Sequence, residues 1–539
     1  MPPFSTPVTS STKAPSFVKT LANKLWNADD QTLRWVLGLL IIILAGFNFV
    51  RDLNNPPHAF WDESYYVTAA ERYKDATAQY ASHPPLAFMF MNLGRVATGD
   101  RNAHLDTHFI AEVKKLDTRA VPKGYDFTGI RLPSALFAVI GALLFYLIVL
   151  NLTREAFEAF VFALLFVFEN AYIVHFRAAH LDSYQMTFTL GSILVWLFTF
   201  AREPKRPLLT YALFGILCGL SFMTKVNSLV MLFLAGLSLL RALWIDRTRQ
   251  VLLQCLARGA TAATAFAAMI VLVFTLHVAL NPNAPDPKTK SGDKDLRYMG
   301  QVYQDYLHHK RPLSPAVVWD ATAGYYSYMK HDFVGEIKTE SNGSQAILWP
   351  AMNKIINYRW DFDGKRTAYT QMIGNPVNWT LAALGIIGAA ALILTRRVRR
   401  LESERGNEDY DRLEALFAMY LVFWVFHIWL GTQRVMYIYH YFIGLALSFL
   451  LLPLVFKIIA RKFAFVDKHR FVILCGLSVI IAAGYLWIAP LTYHQMMTRE
   501  QCEMHNIPVR TVVCQPIKKK KPVVSLLKSW DNRSQQPSA

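Results

Sequence analysis

The stretch Trp35–Val50, WVLGLLIIILAGFNFV, followed ten residues later by Phe60–Tyr66, FWDESYY, decides the class of fold. The first stretch is apolar enough to enter a bilayer. The second sets Asp62 and Glu63 just beyond it, where an ionisable group is costly unless it has a function or a partner. A further polar element, Ser82-His83-Pro84-Pro85-Leu86, lies some twenty residues on. We read this region as the catalytic loop of a membrane enzyme.

Composition agrees. With 53% hydrophobic and 14% aromatic residues and a positive mean hydropathy, the chain is a polytopic membrane protein rather than a soluble globule. The net charge of +18 suggests nucleic acid as a partner, but the basic residues fall in short clusters between apolar runs, so they set topology instead. Cys218, Cys255 and Cys475 lie in apolar segments and read as small buried hydrophobes, whereas Cys502 and Cys514 could form a disulfide if their tail faces an oxidising compartment. No CxxC or HExxH zinc spacing and no glycine-rich phosphate loop occur, which argues against a soluble nucleotide-binding domain.

The expected spans are 35–50, 132–151, 155–174, 184–201, 208–225, 227–245, 257–280, 376–395, 413–431, 437–458 and 471–489. Lys13, Lys19, Lys24 and Arg34 precede the first and hold the N-terminus inside. Arg202, Lys205 and Arg206 follow the fourth span, Arg247 and Arg249 the sixth, Arg396 to Arg400 the eighth, and Lys457 to Arg470 the tenth. Every one of these clusters follows an even-numbered span, as an eleven-span chain with its C-terminus outside requires; Lys518 to Lys521 depart from that pattern. The predicted organisation is a disordered cytoplasmic leader, 1–33, then a catalytic transmembrane region, 34–280, with a first outer loop at 51–130. A second outer loop at 281–375, a four-span region at 376–489 and a polar basic tail at 490–539 follow. Tyr66, Ala69, Ala70 and Tyr73 recur at helical spacing, and Leu86 to Val96 reads as an interfacial helix.

The ordered set Asp62-Glu63, His83-Pro84-Pro85-Leu86 and Arg131-Leu132-Pro133-Ser134, continued by Arg177, Leu181-Asp182 and Lys225, resembles the protein O-mannosyltransferase family and its bacterial lipid-phosphate-sugar-using relatives. Ser344 and Trp349-Pro350 are similar to that family's Ser…Trp-Pro element, although Gly343 stands where a glutamate is usual and Ile347 where a tryptophan is. Gly374-Asn375-Pro376 and Arg434…Tyr437-Ile438-Tyr439-His440-Tyr441 resemble its C-terminal four-span region. The resemblance covers about 45–460 and lacks the soluble insert of eukaryotic members, which points to the bacterial branch. It implies an all-α polytopic C-type glycosyltransferase fold with two large outer loops.

Transfer of a sugar from a polyprenyl phosphate to a hydroxyl needs a base, cations for the leaving phosphate, and a site at the outer interface. Asp62 is the base candidate, because a carboxylate at a partly dehydrated membrane edge is pushed toward a useful pKa. Glu63 would position the acceptor, though adjacent helical residues point about a quarter-turn apart; a solvated first helical turn is the plainer reading of the pair. For the phosphate we select Arg131, Lys225 and Arg434, each at the end of a span, where an unpaired cation costs roughly 2.5–3.5 kcal/mol. Snorkelling accounts for any one of them alone. Arg177 and Asp182 read as a structural ion pair. His83, Tyr437 and His440 are assigned to substrate binding, with a satisfied histidine and an interfacial aromatic belt as the alternatives.

The expected activity is transfer of a sugar, mannose by resemblance, from a polyprenyl-phosphate donor to a Ser or Thr hydroxyl of a protein, with inversion, at the outer face of the bacterial inner membrane. No metal is required, although Asp62 and Glu63 offer hard oxygen ligands for a divalent one. Two other readings stay open: an aminoarabinose-type transferase acting on lipid A, and a transporter or flippase with Asp62 and Glu63 as coupling residues. A transporter should carry paired interrupted helices with charges at mid-membrane.

Overall fold

The computed structural model describes residues 31–200, 204–334, 340–398, 407–507, 512 and 514. The expected leader, apart from its last three residues, and the lysine run at 518–521 lie outside these residues. Each expected span falls on a helix: α1 (Gln31–Val50), α4 (Thr128–Thr153), the pair α5 (Ala156–Val167) and α6 (Asn170–Phe176), α7 (Asp182–Phe200), α8 (Pro207–Phe222), α9 (Leu232–Ile245), α10 (Arg249–Leu280), α12 (Pro376–Val398), α13 (Glu408–Leu430), α14 (Phe442–Lys462) and α15 (Ala464–Thr492). Among the described residues eight helices are long and apolar enough to cross a membrane unaided, and α5 with α6 makes a ninth that bends by 59°. Helix α8 is only 16 residues long, and α7 buries Asp182, Ser183, Gln185, Thr187, Thr189 and Ser192 against its neighbours, so its polarity is matched inside the protein.

The bend between α5 and α6 has an identifiable cause. Glu169 sits in the break and accepts hydrogen bonds from Asn375 N (3.1 Å), Asn378 Nδ2 (3.1 Å) and Trp379 Nε1 (3.1 Å). Asn375 donates from Nδ2 to the carbonyls of Phe168 (3.1 Å) and Ile481 (3.0 Å). Gly374-Asn375-Pro376 is thus a clasp that gives the broken helix the polar partners a bilayer cannot supply.

The two long loops build one layer over one end of the bundle. The first contributes α2 (Glu63–Lys74) and the apolar α3 (Leu86–Ala97); Tyr66, Ala69, Ala70 and Tyr73 of α2 are all buried, as their spacing predicts. Helix α3 crosses α4 at Gly94, where a Cβ would overlap Pro133. The second loop contributes α11 (Pro315–Val334). The layer is pinned by Asp295, which pairs with Arg72 (2.8 Å), pairs with Lys114 and accepts from Tyr80 N (3.2 Å). Tyr325 Oη also donates to the carbonyl of His83 (2.7 Å).

The all-helical expectation needs one addition. Strands β1 (Ile356–Phe362) and β2 (Thr367–Met372) form an antiparallel hairpin, and β3 (Met496–Met497) pairs with β2 on its far side. The turn is closed by Asp363, whose carboxylate accepts from Lys365 N (2.9 Å) and Arg366 N (2.7 Å), and by Gly364 at φ +101°. A bulge between Asn357 and Arg359 leaves Tyr358 as the extra residue of β1. Cys502 and Cys514 are joined by a disulfide.

Candidate active site

Asp62 holds the N-cap position of α2, with no capping hydrogen bond from its side chain among the described residues, and is half-buried. Trp61, just before it, lies in the left-handed region at φ +53°, a strained position for a bulky side chain. Its indole stacks on Tyr358 at 5.2 Å and meets Tyr437 and Tyr439 edge-on. Tyr439 donates from Oη to Asp62 Oδ2 (3.2 Å). Burial raises the Asp62 pKa above its ordinary value, and the charge of Lys225 opposes that rise. The ionised form of such a carboxylate can take a proton, and that capacity falls as pH drops through the raised pKa.

Glu63 corrects the expectation. It is fully buried, and Arg131, only 1% exposed, grips both of its oxygens at 2.8 Å. Glu63 also accepts from Ala179 N (2.7 Å) and Phe60 N (3.2 Å). The remaining donors of Arg131 go to the carbonyls of Leu53 (2.8 Å), Pro56 (2.8 Å) and His58 (2.7 Å). A guanidinium has five N–H groups, and all are committed here. Arg131 therefore has none to offer a phosphate, and Glu63 neither meets an acceptor nor shares a metal with Asp62. Among the described residues no cluster of three or more His, Cys, Asp or Glu side chains converges on a metal position.

The expected Arg177–Asp182 pair does not form either. Arg177 donates to the carbonyls of Arg51 (2.7 Å) and Asp52 (2.9 Å), satisfying backbone groups at the end of α1. Asp182 pairs instead with Lys225 (2.7 Å) and His175 (2.9 Å). Lys225 stands 5.2 Å from the ring centre of Tyr439, so its ammonium belongs to the Asp62 site. Arg434 lies over Phe333 at 4.5 Å, and His83 packs edge-on to the same ring, which brings both toward one wall. Burial, with Lys225 and Arg434 nearby, pushes the His83 imidazole down to about 3, so it is neutral at ordinary pH, and its buried Nδ1 has no hydrogen-bond partner among the described residues.

Tyr437 and His440 shape the turn more than they open into it. His440 Nδ1 lies 3.1 Å from Tyr437 N and 3.0 Å from Tyr437 O, and Tyr437 Oη donates to Glu340. Both rings stack on Tyr439, at 5.5 and 4.6 Å. The Ser344…Trp349 element supports the same turn: Ser344 N donates to the Met436 carbonyl (2.7 Å), and Trp349 Nε1 donates to Ser344 Oγ (2.8 Å). Residue-by-residue reading missed Tyr66, His175, Tyr358 and Tyr439. Tyr66 and Tyr439 stood in quoted stretches without a site role; His175 and Tyr358 are brought in by elements distant in sequence.

Beside this site opens an apolar cleft of about 360 Å³. Pro84, next to His83, forms one edge, and Phe222, Ile270, Phe274, Trp319, Tyr326 and Met329 line the rest. A polar centre flanked by an apolar cleft suits an amphiphilic ligand whose head and tail part at this point.

Residues 39–285 match the family model for dolichyl-phosphate-mannose-protein mannosyltransferase, and residues 329–508 match that for the C-terminal four-span region of protein O-mannosyltransferase. Among curated proteins, protein O-mannosyl-transferase 2 of Danio rerio is 28% identical over 163 residues, 30% of this chain and 20% of the relative. Undecaprenyl phosphate-alpha-4-amino-4-deoxy-L-arabinose arabinosyl transferase 2 of Pseudomonas fluorescens is 31% identical over 167 residues, 30% of this chain and 28% of the relative. The chain thus spans less than a third of the length of these curated relatives. A solved protein O-mannosyltransferase complex from S. cerevisiae, bound to its sugar donor, superposes with a TM-score of 0.69 at 13% identity, covering 88% of this chain and 92% of that one. That likeness is one of fold, the helical membrane architecture of a C-type glycosyltransferase.

Proposed function

Because the chain belongs to the dolichyl-phosphate-mannose-protein mannosyltransferase family, we propose that it moves mannose from a polyprenyl-phosphate carrier to a Ser or Thr hydroxyl of a protein, at the outer face of a bacterial inner membrane. The observation that carries this reading is the half-buried Asp62 carboxylate, hydrogen-bonded by Tyr439, with the Lys225 ammonium nearby and the apolar cleft beside Pro84. Asp62 takes the proton of the acceptor hydroxyl as its oxygen bonds to the anomeric carbon. The bond from that carbon to the carrier phosphate breaks, and its electron pair leaves on the phosphate. Lys225 and Arg434 are the cations of the original set that we assign to the developing phosphate charge. Attack by the acceptor opposite the leaving group inverts the anomeric centre. The scheme needs no metal, and the isoprenoid tail occupies the cleft.

The test is transfer of label from polyprenyl-phosphate mannose by the purified protein, offered hydroxyl-bearing peptides and lipid A side by side. Labelled peptide is the expected product. Labelled lipid with bare peptide would favour the acceptor class named for the Pseudomonas relative, and label on neither would overturn the enzyme reading. Orientation is checked separately. A membrane-impermeant thiol reagent should reach cysteines introduced near 75 and 310 in intact cells, and those near 204 and 398 only after the membrane is opened.

A further inference from the structure

Three stretches of chain, around 175–182, 225 and 358, meet through a single row of hydrogen bonds behind Asp62. Tyr358, the bulged residue of β1, lies 2.8 Å from His175 Nδ1. His175 Nε2, at the end of α6, lies 2.9 Å from Asp182 Oδ2, and the other oxygen of Asp182 takes the Lys225 ammonium at 2.7 Å. The row is shut off from solvent, with side-chain exposures of 1% for His175, 7% for Asp182 and 5% for Lys225. It closes on the base at both ends, because Tyr358 stacks on Trp61, next to Asp62, and Lys225 faces the ring of Tyr439, whose hydroxyl holds Asp62.

The chemistry of each member fixes its neighbour. Asp182 only accepts, so His175 turns its Nε2–H to it and leaves Nδ1 to accept the Tyr358 hydroxyl hydrogen. His175 also stacks on Tyr439 at 4.9 Å, so its ring cannot swing away without displacing the residue that holds the base. A lysine stem has four rotatable carbons and a mobile head; tethering to Asp182 removes that freedom.

We propose that Tyr358, His175 and Asp182 are positioning residues for the transfer reaction, a buried row that holds the Lys225 ammonium in one place beside Asp62. The inference rests on the proposed function for what the cation does, and on geometry alone for where it sits. Its consequence is electrostatic. Six groups face Asp62: Lys225, whose charge stabilises the carboxylate; Asp182, whose charge opposes it; the His175 imidazole; and the hydroxyls of Tyr439, Tyr66 and Tyr358. Neutralising Asp182 then favours ionisation of Asp62, and neutralising Lys225 disfavours it.

The experiment follows the protonation of Asp62 by infrared difference spectroscopy in the intact protein, with Asp62→Asn as the blank, so no substrate is needed. The titration midpoint should move down in Asp182→Asn and up in Lys225→Met, each by half a pH unit or more. Equal midpoints in both variants and the wild type, or shifts of the same sign, overturn the proposal. Tyr358→Phe keeps the ring on Trp61 and folds if the others do not. In the transfer assay its kcat should fall about tenfold, with the KM for polyprenyl-phosphate mannose changed less than twofold; an unchanged kcat rejects the row. A wild type that transfers no sugar but shows the opposed shifts would end the proposed function and leave the positioning intact.

Discussion

Asp62→Asn is expected to lower sugar transfer by about 10²–10⁴-fold, the usual contribution of a general base, while the protein still inserts and folds. The amide nearly matches the carboxylate in shape and can still accept the Tyr439 hydroxyl hydrogen, bonded now at 3.2 Å. What it loses is the ability to take a proton and the negative charge that Lys225 faces. Binding of the donor, measured with a non-transferable polyprenyl phosphate, should change little, so the loss appears in kcat. Turnover near the wild-type rate would remove Asp62 from the chemistry. The same variant with weak donor binding would make it a binding residue instead.

Asp62 could be singled out because sequence position carries its signal: a carboxylate about a dozen residues after a span, ahead of the Pro84-Pro85 turn, needs a function or a partner. Glu63 carries the same local signal and a different fate, since only the fold reveals that Arg131, 68 residues away, reaches back to it. The same limit explains Arg177 and Asp182. They are close in sequence and looked like a pair, but the turn between α6 and α7 sends Arg177 toward the end of α1 and Asp182 toward Lys225. A charge near a span end announces that it needs a partner without saying which.

The spans were readable because a bilayer imposes length and apolarity on each helix separately. The hairpin was not read, although its signal was present. Ile356-Asn357-Tyr358-Arg359-Trp360 alternates apolar and polar residues, and Asp363-Gly364 is a turn pair. In a loop read for charge, length and the Ser344…Trp349-Pro350 element, that pattern passed as irregular chain. The omission mattered, since β1 delivers Tyr358 to the site.

The second large effect concerns the pair that is not catalytic. Arg131→Gln is expected to destabilise the protein by about 3–5 kcal/mol, the usual result of removing one partner from a buried ion pair, and to lower the detergent-solubilised yield and the thermal midpoint together. The Glu63 carboxylate would keep only the Ala179 and Phe60 N–H groups, and the carbonyls of Leu53, Pro56 and His58 would lose a charged donor. Arg131→Lys should rescue little, because an ammonium cannot replace a fork of five fixed donors. Replacing both members, Glu63→Leu with Arg131→Met, should cost less than the single change if the penalty is an uncompensated charge. That double variant separates stability from function, since Glu63 holds Phe60 N across Trp61, whose left-handed backbone aims Asp62. With the clamp gone the strained turn is free to relax, so the double variant should regain much of its melting temperature and stay poor in transfer. A phosphate-binding Arg131 predicts the reverse, a single variant of normal stability whose KM for the donor rises about ten- to a hundred-fold, the loss of one charge-assisted contact.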